Sequence, residues 1–428
     1  MYAGGLDFGT SGARITILDI NKGVIIQEQV AYGASAATPW HHLWLAALAE
    51  LLQKVPASVR QNLGAIALNG TSATVLLCDA TGEPLTAPLL YNDDCGRDYC
   101  DGLKPLAPAG NPALSATSSL VKLLWWQATL PPNTWQQANY LMHQADWLAF
   151  QLHGQPGLSD HHNALKLGYD VGHLSYPDWL LPLGLTRFLP HVQAPGTLLG
   201  QVSAMAEERY GLPHTCAVIA GTTDSIAAFL ASGAQSPGDA VTSLGSTLVI
   251  KLLSETRVDN ERYGIYSHRL GDLWLVGGAS NTGGTVLKQF FTDEQLRALS
   301  PQIQSDRPSG LDYYPLAKPG ERFPISDPAF APRLTPRPDA PHQFLHGLLE
   351  GIARIEAQGY QRLQEFGATR LNRILSAGGG AHNPTWTAIR QRHLPVPIKI
   401  AISTEASFGT AQLALEGWHR FHKNGEAS

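Results

Sequence analysis

The sequence predicts an α/β protein with two lobes, each built on a mixed β-sheet that is flanked by helices. Its 428 residues exceed the length that one hydrophobic core usually serves, which favours two domains. Short apolar strands alternate with longer amphipathic segments along the chain, and this order is typical of α/β folds. A strand–turn–strand unit rich in Gly, Ser and Thr occurs near residue 9 and again near residue 245, so each lobe is expected to open with the same hairpin.

The first lobe is predicted from alternating apolar strands and from helices with one apolar face. Its strands are expected near Ala3–Asp7, Arg14–Asp19, Val24–Glu28, Ala65–Leu68, Thr74–Cys78 and Cys216–Ala220. Its helices are expected near Trp40–Val55, Leu120–Gln127 and Ala145–Leu152, with another that begins at Asp224. The second and third of these helices lie within a long insertion, from about residue 92 to residue 193.

Residues Ser232–Gly238 are interpreted as the connection between the two lobes, because Gly and Pro in this stretch are typical of such a segment. The predicted lobes are therefore residues 1–234 and 235–428. Residues 305–342 are rich in Pro, Gly and Asp and predict a loop at the lobe edge. A helix near His342–Phe366, a strand near Arg373–Ser376 and three consecutive glycines are expected to follow.

The turn of the first hairpin combines a carboxylate with small residues, in the order Asp7-Phe8-Gly9-Thr10-Ser11. Backbone N–H groups can surround an oxyanion at such a turn, because no large side chain blocks the approach. Asp7 is placed to hold a hydrated divalent cation, which prefers oxygen ligands. This combination is typical of nucleotide-binding sites. A tight hairpin with glycine at its bend also forms without a ligand, so that alternative stays open at this point.

The turn of the second hairpin, Ser243-Leu244-Gly245-Ser246-Thr247, repeats the glycine and the hydroxyl groups but lacks the aspartate. Two related turns, one in each half of the chain, suggest duplicated lobes that face each other across a phosphate. The alternative is chance similarity between two unrelated hairpins.

Five further motifs accompany the two hairpins, in a fixed order along the chain. They are residues 68–79, 88–94, 220–228, 277–284 and 376–384. Through these motifs the chain resembles the FGGY carbohydrate kinases, of the actin-like ATPase superfamily, over nearly its whole length. The resemblance implies two actin-like, ribonuclease H-like lobes with a cleft between them. It also implies that a phosphoryl group passes from ATP to a sugar hydroxyl, with Mg²⁺ as cofactor.

The resemblance assigns the role of catalytic base to Asp224, which follows a buried strand and two threonines at the start of a helix. The positive end of the helix dipole favours the ionised form of a carboxylate there. Gly221 is interpreted as leaving room for the substrate. Taken alone, Asp224 could equally cap the helix, which is a common role for aspartate.

The family pattern also implies the residues that contact ATP. From the first lobe these are Gly9, Thr10 and Ser11, and from the second lobe Gly245, Ser246, Thr247, Gly283, Gly284, Gly379, Gly380, Asn383 and Trp386. The three glycines 378–380 would let an adenine lie flat against the backbone. Asn383 would hydrogen-bond the adenine, and Trp386 would offer an aromatic face.

Thr71, Ser72 and Asp93 fall where the family lines its sugar pocket, next to Asp7, Thr10 and Asp224. Bacterial xylulose kinases carry a glutamine and a histidine where this chain has Asn69-Gly70-Thr71-Ser72-Ala73, and the arginine–glutamate pair of glycerol kinases is absent as well. With residues 163–170, this pattern most resembles the short xylulose-kinase-like members, for which D-ribulose is the implied substrate. Xylulose, L-ribulose and glycerol remain alternatives.

Composition narrows the possible partners. The formal charge of −5 gives no general attraction to nucleic acid. No uninterrupted apolar run is long enough to span a bilayer, and no secretion signal is recognised, so a cytoplasmic protein is expected. The expected oligomeric state is a monomer or a homodimer. The four cysteines are expected to be reduced and inert. The pairs His41-His42 and His161-His162 lack the carboxylate pattern of a metal site and are interpreted as surface or core histidines.

Two other functions must be weighed against a sugar kinase. An actin-like ATPase that acts as a switch would share both hairpins, but it has no need of Asp224 together with a sugar-lining Asp93. A degenerate kinase that serves as a scaffold is disfavoured because Asp7, Asp224 and the glycine turns are intact.

Overall fold

The structure is a computed structural model, and it describes residues 1–33 and 38–425. The chain divides into two compact units. The first consists of Met1–Ala231 together with the segment from Glu405 onward, and the second consists of Ser232–Thr404.

The described residues of the first unit form ten strands: β1 Tyr2–Phe8, β2 Gly12–Asp19, β3 Gly23–Ala31, β4 Leu63–Gly70, β5 Val75–Cys78, β6 Tyr140–His143, β7 Leu158–Asp160, β8 His191–Gln193, β9 Leu198–Gln201 and β10 Ala217–Thr223. Six of them form one mixed sheet in the order β3-β2-β1-β4-β10-β9. Within it, β1 runs antiparallel to β2 and parallel to β4, and β4 runs parallel to β10. The carboxyl ends of β1, β4 and β10 therefore meet at one edge of the sheet.

The helices of this stretch are α1 Trp40–Lys54, α2 Ala57–Arg60, α3 Cys100–Leu103, α4 Ser119–Thr129, α5 Pro132–Gln137, α6 Gln144–His153, α7 Ala204–Tyr210 and α8 Asp224–Ala231. The leucine-rich face of α1 packs on the sheet, with Leu48, Leu51 and Leu52 fully buried. A second core joins α4 to strands β5 and β6 and contains Leu120, Leu123 and Trp126.

The second unit contains strands β11 Asp239–Leu244, β12 Leu248–Ser254, β13 His268–Leu270, β14 Leu273–Ala279, β15 Arg373–Ala377 and β16 Ile398–Ile400. Its helices are α9 Gly284–Lys288, α10 Asp293–Leu299, α11 Pro341–Glu365 and α12 Pro384–His393. All six strands form one mixed sheet, in the order β13-β14-β12-β11-β15-β16. Like β1, β11 pairs antiparallel with the next strand and parallel with a later one, so the predicted duplication of the opening hairpin extends to the pairing of the strands.

The predicted domain boundaries need a correction at the end of the chain. The predicted second lobe, residues 235–428, includes the segment that forms α13 Ala406–Gly425. This helix packs in the first unit, against β1, β2, β4, β10 and α8. The contact is close because Gly5 and Gly409 carry no side chain: a Cβ on Gly5 would lie 2.1 Å from Ala411 N, and one on Gly409 would lie 1.9 Å from Ala227 O.

The region predicted as an edge loop contains no helix or strand over residues 305–340, and its central part is buried. Tyr313 and Phe323 are buried within it, and Glu321 is 2% exposed. Helix α11 begins at Pro341, one residue before the predicted start, because proline is favoured in the first turn of a helix.

Candidate functional site

Asp7 lies near the end of β1, directly opposite Arg14 on β2. Its Oδ2 is 3.7 Å from Arg14 Nη1, whereas its Oδ1 is buried and has no hydrogen-bond partner among the described residues. Burial raises the pKa of Asp7 to about 7, and the neighbouring Asp224 carboxylate adds to this rise. Burial raises the pKa of Tyr32 above its usual range and the Asp7 carboxylate adds to this rise, so the Tyr32 hydroxyl belongs to the same environment. The site therefore contains a carboxylate oxygen with an unused acceptor position.

The first predicted phosphate turn joins β1 to β2. Gly9 N donates to Gly12 O at 3.0 Å, and Thr10 and Ser11 are exposed. Their hydroxyl groups thus lie at the surface of the unit, at the same sheet edge as Asp7.

Asp224 is where the sequence places it, at the junction of β10 and α8, and it is half-buried. The interpretation of Gly221 as room for substrate is wrong. A Cβ at Gly221 would lie 1.6 Å from Leu68 O, so the missing side chain allows β10 to approach β4.

Lys166 is a charged neighbour of Asp224 that the sequence analysis missed. Burial lowers the pKa of Lys166, and the nearby Asp224 carboxylate opposes that change. His162 holds this segment to β10, because its Nδ1 is 2.7 Å from Thr222 Oγ1. His161 and His162 are both buried, and His162 contacts the strand that leads into Asp224.

Thr71 begins the turn between β4 and β5, and its polar groups are already engaged. Its Oγ1 lies 2.5 Å from Thr74 Oγ1 and donates to Gln144 Oε1 at 3.1 Å, while its N–H donates to the same oxygen at 2.9 Å. Ser72 is half-buried, and no described hydrogen bond engages its hydroxyl. Of the two predicted contacts, Ser72 is the one whose side chain is available to a ligand.

Asp93 closes a second turn, in which Leu90 N donates to Asp93 Oδ2 at 2.6 Å. Lys122 connects this turn to the Thr71–Thr74 turn. Its Nζ donates to Ala73 O at 2.7 Å and also to Leu90 O. Lys122 was missed, although a signal was present: it is the one charged residue in the apolar run of 119–126.

In the second unit, the turn that contains Gly245 is bonded to the start of α9. Gly284 N donates to Gly245 O at 2.8 Å, and Thr285 N donates to Ser246 O at 3.0 Å. Gly283 has a φ of +139°, and a Cβ there would lie 2.7 Å from Thr247 Cα. These two predicted nucleotide-binding segments thus form one structure that tolerates only glycine at its centre.

A cavity of about 680 Å³ opens beside this structure, entirely within the second unit. This volume is typical of a small-molecule site. Predicted nucleotide contacts that line it are Gly245, Ser246, Gly284, Gly379, Gly380, Asn383 and Trp386. Gly378 and Gly380 pack closely on Leu244, whereas a Cβ on Gly379 would meet nothing within 4 Å. Gly379 is therefore the glycine of the three whose surface is open.

Asn383 and Trp386 line the cavity but have structural contacts of their own. Asn383 caps α12, with Oδ1 accepting from Trp386 N at 3.1 Å and Nδ2 donating to Ser300 Oγ at 2.9 Å. Trp386 is 3% exposed, and its indole N–H donates to Leu349 O. Asn followed by Pro384 is a helix-start pattern, so the capping role could have been found from the sequence.

A buried ion pair supports the walls of this cavity. Arg390 and Glu356, both fully buried, meet through two hydrogen bonds of 2.6 and 2.7 Å. Arg390 also donates to Ser376 Oγ on β15, and Thr242 on β11 donates to Glu356 Oε1. The network joins α11 and α12 to the strands that precede the two glycine turns.

Comparison with known proteins agrees with this geometry. Residues 2–231 match the N-terminal domain of the FGGY family of carbohydrate kinases, and residues 181–418 match the C-terminal domain of the same family. The chain belongs to the FGGY family of carbohydrate kinases. It is therefore a phosphotransferase that acts on a sugar, and the predicted family is confirmed.

Two kinds of kinase appear among its curated relatives. The chain is 24% identical to a xylulose kinase of Bacillus subtilis, over 97% of this chain and 89% of that protein. It is 25% identical to an autoinducer-2 kinase of Yersinia enterocolitica, over 95% of this chain and 84% of that protein.

Solved structures establish the fold of the kinase. A xylulose kinase from Brucella ovis aligns with a TM-score of 0.85 at 22% identity, over 98% of this chain and 91% of that one. A glycerol kinase from Plasmodium falciparum, solved with ADP, aligns with a TM-score of 0.82 at 16% identity, over 97% and 89%. The predicted actin-like α/β fold is confirmed. Among the described residues, no helix is both long and apolar enough to cross a membrane.

Proposed function

We propose that this kinase phosphorylates a ketopentose, D-ribulose, at its terminal hydroxyl to give D-ribulose 5-phosphate. The phosphoryl donor is ATP. In this assignment the first unit holds the sugar and the base, and the second unit holds the nucleotide in the cavity beside Gly245 and Gly379. Asp224 carries the proposal, because it is half-buried, stands at the start of α8 and has the charged neighbours Asp7 and Lys166.

The reaction forms one O–P bond and breaks another. The terminal oxygen of the sugar attacks the γ-phosphorus of ATP, the bond from that phosphorus to the bridging oxygen breaks, and ADP leaves. The proton of the sugar hydroxyl passes to Asp224 as the new bond forms. The ammonium of Lys166 lies near Asp224 and would favour the ionised form of the Asp224 carboxyl, which is the form that accepts a proton.

The residues present also fit a divalent cation. Asp7 Oδ1 is buried and has no hydrogen-bond partner among the described residues, so it can serve as an oxygen ligand without losing another contact. A hydrated Mg²⁺ held there would neutralise charge on the ATP phosphates. The raised pKa of Asp7 means that the free site holds a proton for part of the time near neutral pH.

The choice of D-ribulose rests on the turn between β4 and β5. This turn offers Ser72 to a polyol and lacks the glutamine and histidine of bacterial xylulose kinases. Asp93, in the turn that it forms with Leu90, adds a carboxylate. D-xylulose is the second candidate, because xylulose kinases are among the relatives of the chain.

The test is an ATP-consumption screen over D-ribulose, D-xylulose, L-ribulose, glycerol and related polyols at equal concentrations. We expect the highest kcat/KM for D-ribulose. A clear preference for D-xylulose or glycerol would refute the substrate and leave the kinase assignment intact. If ATP were hydrolysed at one rate whatever sugar was added, the assignment of this site to sugar phosphorylation would fail.

A further inference from the structure

Lys122 is a fully buried ammonium group on α4 that is bonded to main-chain carbonyls. One of these, Ala73 O, belongs to the turn that carries Ser72, and the other, Leu90 O, belongs to the turn that Asp93 closes. The single nitrogen Nζ is thus the shared hydrogen-bond donor of both segments that the proposed function places at the sugar.

The conformation of Ala73 shows why such a donor is needed. Ala73 has a φ of +65°, in the left-handed region that residues with a side chain seldom adopt. Its side chain is completely buried, so solvent does not relax the turn. A charged donor on the carbonyl of Ala73 holds the peptide in this orientation, since hydrogen bonds from ionised groups are stronger than those between neutral ones.

The charge on Lys122 is balanced locally. Burial lowers the pKa of Lys122 to about 8, and the Asp93 carboxylate opposes this fall, while Lys166 adds to it. The lysine therefore keeps its proton at neutral pH. It contacts no bulk solvent, and its two acceptors are main-chain atoms, so its contribution to the sugar site passes through the backbone.

We propose that Lys122 is a specificity-determining positioning residue, which fixes the separation between Ser72 and Asp93 and so the pattern of sugar hydroxyls that they recognise. This inference rests on the proposed function, because it takes those two residues as the sugar contacts. Epimeric ketopentoses differ in the direction of one hydroxyl, and a site distinguishes them only if its partners are held at fixed positions.

The first experiment compares Lys122→Met with wild type for the best sugar of the screen and for its epimer. Methionine keeps the bulk of the chain and removes the donor. We expect the KM for the preferred sugar to rise about 10-fold or more and the preference over the epimer to shrink, with the KM for ATP within about twofold of wild type. Lys104→Met is the matched control, since Lys104 is an exposed lysine whose ammonium bonds the Asp101 carboxylate at the surface.

A second variant separates positioning from general damage to the fold. Adding Ala73→Gly to Lys122→Met lets the turn adopt its positive φ without the donor, because glycine occupies that region freely. We expect the double variant to recover part of the lost sugar affinity. If Lys122→Met does not fold, Lys122→Arg replaces it, because a guanidinium keeps the charge and the donors but is planar and larger than an ammonium, so it changes the spacing of the two carbonyls.

The outcomes are distinct. A folded Lys122 variant with wild-type KM and wild-type sugar preference would overturn the proposal and leave the proposed function standing. Equal increases in the KM for sugar and for ATP would also overturn it, since they indicate general damage. If the wild-type protein phosphorylates no sugar, the proposed function fails first and the positioning role of Lys122 fails with it.

Discussion

Asp7 faces Arg14 across the β1–β2 pair, with 3.7 Å between Oδ2 and Nη1, and this contact does not compensate the burial of Asp7. Arg14 is half-exposed, with 52% of its side chain accessible, so water screens its charge. Asp224 adds a second negative charge nearby, and the pKa of Asp7 accordingly rises to about 7. Ionisation of the Asp7 carboxyl therefore costs free energy in the folded protein, as expected for a group whose charge a bound cation would balance.

Asp7→Asn should make the protein more stable at alkaline pH. The pKa of Asp7 is higher in the folded state than in the unfolded state, so the folded state binds more protons between about pH 4 and pH 7 and stability falls as the pH rises through this range. The Asp7→Asn protein does not lose stability in this way, because the asparagine side chain does not ionise. Between pH 5 and pH 8 the variant should gain about 2–3 kcal/mol relative to wild type.

The measurement is denaturant unfolding of both proteins at the two pH values, without Mg²⁺. Parallel changes in the free energy of unfolding for the two proteins would contradict the prediction. Activity should be lost in the same variant, because the candidate cation ligand is removed.

Asp224→Ala should remove most sugar phosphorylation and leave nucleotide binding nearly intact. General-base assistance contributes about 10²–10⁴-fold to such reactions. The readouts are turnover at saturating sugar and ADP binding by calorimetry. Asp170→Asn is a suitable control, because Asp170 is a carboxylate of the same unit that bonds the exposed His173. Near-normal turnover of the Asp224→Ala protein would show that Asp224 is not the catalytic base and would leave helix capping as its role.

Gly283→Ala should weaken nucleotide binding about 10-fold or more, since substitutions at such a backbone position strain the turn. The new Cβ would collide with Thr247 Cα and Ser246 O, at 2.7 and 2.8 Å, and would push the Gly245 turn away from the cavity. Gly264→Ala gives the matched comparison, since Gly264 also has a positive φ but no atom within 4 Å of its added Cβ. Equal effects of the two substitutions on the KM for ATP would show that backbone strain alone, rather than the turn contact, is responsible.

Arg390→Met should destabilise the second unit by about 3–5 kcal/mol, because it leaves the Glu356 carboxylate buried without its partner. Replacing both residues with apolar ones should restore much of that loss, since no uncompensated charge remains. Thermal unfolding of wild type, the single variant and the Arg390→Met/Glu356→Leu protein tests this. A double variant no more stable than the single one would contradict the explanation by charge.

Much of the fold could be predicted because local patterns determine it. The alternation of apolar residues placed β1 and β2, and two threonines followed by Asp224 placed the junction of β10 and α8. The hydrogen-bond partners of individual polar side chains could not be predicted in this way. Whether Thr71 faces a ligand or Gln144 depends on α6, which lies 73 residues further along the chain.

The same limit explains two other differences. Lys122 stands in an apolar run, which marks it as unusual, but its acceptors Ala73 and Leu90 are distant in sequence. Helix α13 has an ordinary amphipathic pattern that does not specify which sheet it covers. That choice depends on close backbone approach at Gly5 and Gly409, a property of the assembled unit rather than of either segment.

The position of α13 determines when the first unit can be completed during synthesis. Its sheet is made early, yet the helix that covers β1, β4 and β10 follows the whole of Ser232–Thr404. At roughly 5–20 residues per second, a ribosome needs roughly 10–30 s to make that intervening segment. During this interval the apolar face that includes Ala65, Ala67 and Ile219 lacks its cover. The second unit, which is continuous in sequence, can finish folding before the first, although its chain emerges later.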